Sequence, residues 1–142
     1  KKYGLLIGEQ MAEVVKMKIG SAVEVANPKT MEVRGRDLNS GLPQMIQITS
    51  NQTVHPIRTV LNKIIYSIKD ILEQTPPELA SDIIDYGIVL SGGTAMLTGI
   101  DELFTRALGV PVHVVDEPLT AVVRGLSHAL DHLDVIKRSL RG

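Results

Sequence analysis

The chain has 142 residues and a formal net charge of −1, and its 44% hydrophobic and 22% charged content is ordinary for a globular domain with a core. The near-neutral charge and the 3% aromatic content argue against nucleic acid binding, which needs a basic surface or side chains that stack on bases. The chain has no cysteine and no apolar run of membrane-spanning length, which argues against disulfides, thiolate metal sites and a transmembrane helix.

The first part of the chain carries the pattern of one helix and one β-hairpin. Apolar residues recur at helical spacing within residues 8–20 and predict a helix that stops at Gly20. Residues 30–37 and 42–49 alternate apolar and polar positions, and the loop between them ends in a glycine that tolerates positive φ. We therefore expect two antiparallel strands in these ranges.

A long helix is predicted next. One continuous apolar stripe runs from Ile57 to Leu72 at helical spacing. Pro56 either begins this helix or kinks it near His55, and the segment Thr75–Pro77 ends it.

The last third of the chain alternates strands and helices. Short strands are predicted at 86–90 and 110–115, and each is followed by a helix, at 99–109 and 116–133. Two such strands joined through a helix form a βαβ unit with parallel pairing.

The final predicted helix, over 116–133, is one of those that cover this sheet. Asp116 is its predicted N-cap, and Pro118 falls in its first turn. Its apolar face consists of Leu119, Val122, Val123, Leu126 and Leu130.

The stretch IVLSGGTAML, residues 88–97, places Gly92 and Gly93 after a predicted strand and before a helix. Open α/β sheets bind ligands at this position, and backbone N–H groups beside a glycine can approach a phosphate closely. Thr94 adds a hydroxyl donor. The stretch lacks the lysine and the third glycine of the standard phosphate-binding motifs, so the local pattern by itself favours a tight strand-to-helix turn.

Charged and histidine side chains are weaker candidates for a site. Glu13 and Lys16 are three residues apart on the first helix and form either an exposed ion pair or two hydrogen-bonding groups for a ribose or a base edge. His128 and His132 are four residues apart and have no obvious third ligand, which favours surface histidines over a metal site.

Several segments, taken together, resemble one family. They are LLIGEQMAEVVKMKIGSA, MEVRGRDLNSGLPQMIQIT, EQTPPELASDIIDYGIVLSGGTAMLTGIDEL, GVPVHVVDEPLTAVVRG and ALDHLD. In this order, and over nearly the whole chain, they resemble the C-terminal part of the bacterial actin homologue MreB and its paralogues, the MreB/Mbl family of rod shape-determining proteins. The motifs RGRD…GLP and TPPELASDI are the most specific of them.

The resemblance implies an α/β fold of the actin-like ATPase, ribonuclease H-like type, in which two lobes enclose a nucleotide cleft. This chain would supply part of the second lobe: a small outer subdomain at 1–50, inserted as a helix plus hairpin, and the second half of the large inner subdomain at 51–142. The first lobe, which positions the metal and the attacking water, would lie outside this chain. Intact family members bind and slowly hydrolyse ATP, and no catalytic residue or metal ligand is expected in this part.

The implied function is ATP-dependent polymerisation into membrane-associated filaments that control cell shape and direct cell-wall synthesis. The implied location is the cytoplasm, at the inner face of the cell membrane, and the implied cofactor of the intact protein is ATP or ADP with Mg²⁺. The implied partners are further subunits, membrane-anchored cytoskeletal proteins and cell-wall elongation proteins. Membrane contact would run through the missing lobe, and nucleic acid is not an expected partner.

The resemblance also assigns site residues. The AEVVK stretch matches the helix that contacts the nucleoside, so Glu13 and Lys16 would approach the ribose and adenine. The SGGTA stretch matches the adenosine motif and would line the cleft beside the phosphates and sugar with Gly92, Gly93, Thr94 and Ala95. MreB proteins usually have a third glycine where this chain has Thr94, and eukaryotic actins are similar to this chain there.

Two other functions compete with the filament subunit. A lobe of another actin-fold ATPase, such as a sugar kinase or an Hsp70-type protein, would share the fold, although the RGRD…GLP and Pro-Pro-Glu-Leu segments argue against it. A binding module would present partner surfaces without holding nucleotide. The 142 residues alone are expected to bind ATP weakly or not at all, because the facing half of the cleft would be missing.

Overall fold

The computed structural model describes residues 3–133, and residues 134–142, which end the second predicted subdomain, lie outside that part together with residues 1–2. Residues 3–133 form five strands, five α-helices and one short 3-10 helix. In chain order these are β1 (Leu5–Leu6), α1 (Glu9–Ile19), β2 (Thr30–Asp37), β3 (Pro43–Thr49), α2 (Ser50–Glu73), α3 (Pro77–Tyr86), β4 (Ile88–Leu90), the 3-10 helix (Gly93–Met96), α4 (Ile100–Leu108), β5 (Val112–Val114) and α5 (Ala121–Asp131).

The first three strands form an antiparallel sheet in the order β1-β2-β3, and α1 packs against it. The alternation in β2 and β3 puts Val33 opposite Ile46, and Val33 is only 2% exposed. Gly35 is required in β2, because a Cβ there would lie 2.3 Å from the backbone oxygen of Leu6. The predicted helix and hairpin are confirmed, and they share a small core of Leu5, Val15, Ile19 and Val33.

The hairpin turn between β2 and β3 is organised by one carboxylate. Asp37 accepts hydrogen bonds from the backbone N–H groups of Asn39, at 3.1 Å, and Ser40, at 2.6 Å, and from the Ser40 hydroxyl, at 2.8 Å. Gly41 closes the turn with a φ of +72°. The donors of Ser40, backbone first and side chain second, lower the pKa of Asp37 because they stabilise its charged form.

A second core lies under the parallel pair β4–β5, in which Ile88 pairs with Val112 and Leu90 with Val114. Helix α4 connects the two strands, so the predicted βαβ unit is confirmed. Helix α2 packs against α4 and contributes Leu61 to this core, where it is 2% exposed. The buried residues of the core are Ala22, Val23, Leu61, Ile65, Leu97, Ile100, Leu103, Phe104 and Val112.

Both cores meet at a buried crossing of the chain after α1, which we call the Ser21 junction (residues 20–23 with Thr53 and Thr98). Ser21 is 1% exposed, and its N–H donates to the Thr53 hydroxyl at 3.2 Å. Its own hydroxyl donates to the Val23 carbonyl at 2.6 Å, and the N–H of Ala22 donates to the Thr98 carbonyl at 2.8 Å. The junction therefore ties α1 to α2 and to the segment before α4.

Helix α2 begins earlier than predicted. It starts at Ser50, where the Gln52 side chain accepts a hydrogen bond from the Thr49 N–H at 2.8 Å. Pro56 therefore does not begin the helix but lies inside it, where it cannot donate to the Gln52 carbonyl. Val54, before the proline, and Leu61, after it, are both buried, and their packing stabilises the helix on either side of Pro56.

Helix α3 is not among the predicted elements. Pro77 is at its start and Glu78 follows in its first turn, and both residue types are favourable there. The Pro76–Pro77 pair follows the end of α2 and also starts α3, whereas its sequence pattern predicts only the end of a helix.

Helix α5 begins at Ala121, later than predicted, because Glu117 adopts a left-handed φ of +51° that is incompatible with a helix. The predictions that Asp116 caps this helix and that Pro118 lies in its first turn are therefore wrong, and Thr120 directly precedes it. The predicted apolar face is also not buried within the described residues. Its members are each between 60% and 68% exposed: Leu119, Val122, Val123, Leu126 and Leu130.

We expect Thr53→Val to destabilise the protein by about 1–3 kcal/mol, because the buried Ser21 N–H loses its acceptor. The matched control is Thr59→Val on the same helix, whose exposed hydroxyl donates only to the His55 carbonyl. That control should change the free energy of unfolding by less than about 0.5 kcal/mol. Urea unfolding measures both variants, and equal effects would contradict the role assigned to the junction.

We expect the hairpin turn to loosen in acid. The pKa of Asp37 is lower in the folded state, so its stabilising hydrogen bonds are fully present above the unfolded value, about pH 4. They are lost as the pH falls through the lower folded value. Titration of the carboxyl carbon by NMR should show the lowered pKa, and Ser40→Ala should raise it towards normal. An unchanged pKa in Ser40→Ala would contradict the assignment.

Candidate functional site

An open cavity of about 350 Å³ lies between α1 and the turn that follows β4, and we call it the cleft. Its size falls in the range of small-molecule sites. Its walls combine charged, glycine and apolar residues. The lining consists of Glu13, Lys16, Met17, Gly93, Thr94, Met96, Leu97 and Leu119.

Helix α1 supplies the charged wall of the cleft. The Lys16 ammonium lies 2.8 Å from a carboxylate oxygen of Glu13, and the two side chains are 45% and 56% exposed. An exposed pair one helical turn apart contributes at most about 0.5 kcal/mol, so a ligand could recruit either group at little cost. The same geometry is therefore compatible with a surface ion pair and with a ligand-binding pair.

Gly92 is explained by the turn itself. Its φ of +83° and ψ of +177° belong to a region that essentially only glycine occupies. Its N–H is already used, because it donates to the Pro118 carbonyl at 2.8 Å. Gly92 therefore redirects the chain from β4 into the 3-10 helix and shapes the cleft without offering its own donor.

Gly93 is not explained by the turn. Its φ is not positive, and the nearest atom to the position of a Cβ is Leu119 Cδ2 at 3.6 Å, an ordinary contact. As the first residues of the 3-10 helix, Gly93 and Thr94 have N–H groups without a partner in that helix. Both residues line the cleft, and Gly93 places no side chain there.

Ala95 lies on the other side of the turn. It is 6% exposed and borders a smaller cavity of about 150 Å³ on the core side. Its neighbours there include Leu90, Ile100 and Phe104. In the structure Ala95 packs in the core, whereas four of the proposed site residues line the cleft: Glu13, Lys16, Gly93 and Thr94.

Sequence reasoning missed the apolar lining of the cleft. Met17 is 77% exposed and Met96 is 60% exposed, on a face that the helical pattern of α1 leaves unassigned. Leu119 is 66% exposed and was expected on the buried face of α5. Large exposed apolar side chains beside glycine and charged groups are what a pocket for a partly apolar ligand requires.

A larger cavity, of about 400 Å³, lies between α1, the first sheet and the start of α2. Its lining is mostly apolar, with Leu5, Ile46 and Pro56 among the residues, and Lys16 borders it as well as the cleft. Without a set of convergent polar groups it does not suit a charged ligand.

Metal binding finds no support in residues 3–133, which contain no group of three or more His, Asp or Glu side chains that could hold an ion. His128 and His132 are both exposed at the end of α5, in agreement with surface histidines. No helix among the same residues is long and apolar enough to cross a membrane.

The family profile and the individual relatives that match this chain point to the same family. Residues 1–138 match the profile of the family described as MreB/Mbl protein. The chain is 41% identical to the cell shape-determining protein Mbl of Bacillus cereus, over 99% of this chain and 43% of that protein. It is 43% identical to the cell shape-determining protein MreB of Escherichia coli, over 95% of this chain and 39% of that protein. The chain thus spans about two fifths of the length of these relatives.

Solved structures have a fold similar to that of this chain, and the chain again spans about two fifths of their length. MreB5 of Spiroplasma citri bound to AMPPNP superposes with a TM-score of 0.88 at 33% identity, over 97% of this chain and 41% of that one. The ADP-bound form of the same protein gives 0.88 at 34% identity, over 99% of this chain and 42% of that one. The MamK double helical filament, at 21% identity, has a TM-score of 0.66 over 84% of this chain and 36% of that one, and it supports the fold alone.

The two glycines should respond differently to a methyl group. We expect Gly92→Ala to destabilise the protein by about 1–3 kcal/mol, because alanine is strained at this backbone conformation. Gly93→Ala should leave stability unchanged or raise it by up to about 1 kcal/mol, because its Cβ has room and the unfolded chain loses freedom. Thermal unfolding of the two variants tests this, and equal losses would contradict the contrast.

Proposed function

The chain belongs to the MreB/Mbl family of cell shape-determining proteins and has the actin-like α/β fold in the part that it spans, and from this premise we propose that its cleft is one wall of an adenine-nucleotide site. The observation that carries the proposal is that Gly93 lines the same cavity as the Glu13–Lys16 pair, although neither its φ nor a close contact requires a glycine there.

The chemistry of the cleft suits the parts of a nucleotide. The N–H groups of Gly93 and Thr94 are donors for a phosphate or sugar oxygen at the glycine side. On α1, Glu13 can accept from ribose hydroxyls and Lys16 can donate to ribose or base acceptors. The exposed Met17 and Leu119 offer apolar contact to a base or sugar face.

The related structures support the same ligand class. MreB5 of Spiroplasma citri is described as bound to AMPPNP and to ADP, and its fold matches that of this chain closely. We propose ATP and ADP as the ligands of this cleft. Residues 3–133 contain no group of three or more His, Asp or Glu side chains that could hold Mg²⁺, so any metal that accompanies the nucleotide would depend on the phosphates and on residues outside this range.

We further propose that the protein polymerises with ATP into filaments at the inner face of the cell membrane, where they control cell shape and direct cell-wall synthesis. The names of the relatives support the cell-shape role, and the actin-like fold supports self-association. Membrane-anchored cytoskeletal proteins and cell-wall elongation proteins are the proposed partners. Electron microscopy and sedimentation of the full-length protein should reveal filaments that depend on ATP, and their absence would refute this role.

The nucleotide site is tested by Gly93→Ala in the protein at its natural length. Because the added methyl group occupies the approach to the donors, ADP affinity should fall about tenfold while stability is retained. The matched control is Gly125→Ala in α5, where a Cβ meets nothing within 4 Å and the residue does not line the cleft. Isothermal titration with ADP and Mg²⁺ measures both. Parent-like affinity in Gly93→Ala, or no ADP binding by the parent, would overturn the proposal.

A further inference from the structure

The loop between β5 and α5, residues 115–120, contains a strained backbone conformation, and we call it the Glu117 loop. Glu117 is the one non-glycine residue with positive φ among residues 3–133, at +51°. A side chain with a Cβ disfavours this conformation, so something in the surroundings must hold it. The contacts of the neighbouring residues show which arrangement of the loop this strained conformation maintains.

The Glu117 loop is held by groups at the start of α5. The Thr120 N–H donates to the Glu117 carbonyl at 3.0 Å, which closes the turn. One Glu117 carboxylate oxygen accepts from the Thr120 hydroxyl at 3.1 Å and from the Arg124 guanidinium at 3.2 Å. The carboxylate thus links the loop to the first turn of the helix through two donors.

The same loop makes two contacts with the segment after β4, and one of them is at the cleft. The Pro118 carbonyl accepts the Gly92 N–H at 2.8 Å, which fixes the glycine turn after β4. The next side chain, Leu119, lines the cleft, and its Cδ2 lies 3.6 Å from the position of a Cβ on Gly93. Leu119 is nevertheless 66% exposed, so it is placed beside the cleft without being buried by the fold.

We propose that Leu119 is a ligand-contacting residue that packs on the nucleoside part of the bound nucleotide, and that Glu117 and Arg124 are its positioning residues. This inference rests on the proposed nucleotide site and assigns the apolar wall of that site. The Glu117–Arg124 ion pair is exposed, with side chains 68% and 58% accessible, so its stabilisation of the fold is small. Its consequence is instead the orientation of the Pro118 carbonyl and the Leu119 side chain.

The first arm of the test measures ADP affinity in the full-length protein. Leu119→Ala should weaken ADP binding about tenfold because the apolar contact is lost, and Leu119→Met should restore it. Glu117→Gln and Arg124→Gln should each weaken binding by up to about fivefold, and the double variant should be no worse than either one, because both break the same link.

The matched control is Glu102→Gln, which breaks an exposed ion pair with Arg106 on α4, away from the cleft. Glu102→Gln should leave both the ADP affinity and the thermal midpoint unchanged. Glu117→Gln and Arg124→Gln should leave only the thermal midpoint unchanged. If the parent binds ADP and the Leu119 and Glu117 variants bind it equally well, the inference is overturned.

The second arm reports on the loop without ligand. In a Leu119→Trp variant the indole emission should shift when Glu117→Gln is added, because the loop is no longer held, and it should not shift with Glu102→Gln. A shift on addition of ADP supports contact with the ligand. If the parent does not bind ADP, the proposed function fails, whereas an emission unchanged by Glu117→Gln overturns the positioning role itself.

Discussion

The buried crossing at Ser21 is the constraint on which the rest of the structure depends. At this point the chain leaves the small antiparallel core and enters the core beneath β4 and β5, and its polar backbone must be satisfied without water. The Thr53 hydroxyl and the Thr98 carbonyl meet that requirement, and they come from α2 and from the segment before α4. Three distant parts of the sequence are therefore brought into one arrangement by a few hydrogen bonds.

The cleft follows from that arrangement. Helix α1 ends at the Ser21 junction, and the 3-10 helix with Gly93 ends just before Thr98, so fixing the two ends fixes the distance between the two walls. Gly20 contributes to this closeness, because a Cβ there would lie 2.3 Å from the Lys16 carbonyl and 2.9 Å from Leu97 Cδ2. Rigid packing beneath the walls leaves their exposed side chains available for a ligand, as preformed sites require.

The parts of the fold that local signals encode were predictable. The hairpin has alternation and a glycine turn, and α4 has a left-handed glycine, Gly109, at its end. The predictions fail where one sequence pattern is compatible with two structures. Pro76–Pro77 ends one helix and starts another. Asp116 is of a residue type favoured at a helix N-cap, but it precedes a left-handed turn at Glu117. Hydrogen bonds of Glu117 with Thr120 and Arg124 hold that turn, and the turn places the Pro118 carbonyl against the N–H of Gly92, which is distant in sequence.

In the candidate site, too, local sequence patterns predict some features, and others depend on contacts distant in sequence. Periodicity placed Glu13 and Lys16 on one face of α1, but no local pattern places that face opposite Gly93, because their proximity depends on the Ser21 junction. Ala95 belongs to the same short motif as Gly93 and yet turns into the core, since consecutive residues of a 3-10 helix face different directions. Most glycines of the chain have a reason inside it, either a positive φ or a close contact, as at Gly35 and Gly92. Gly8, Gly93 and Gly125 have neither, and of these three only Gly93 lines the cleft, so it is the glycine for which we seek a reason in a bound ligand.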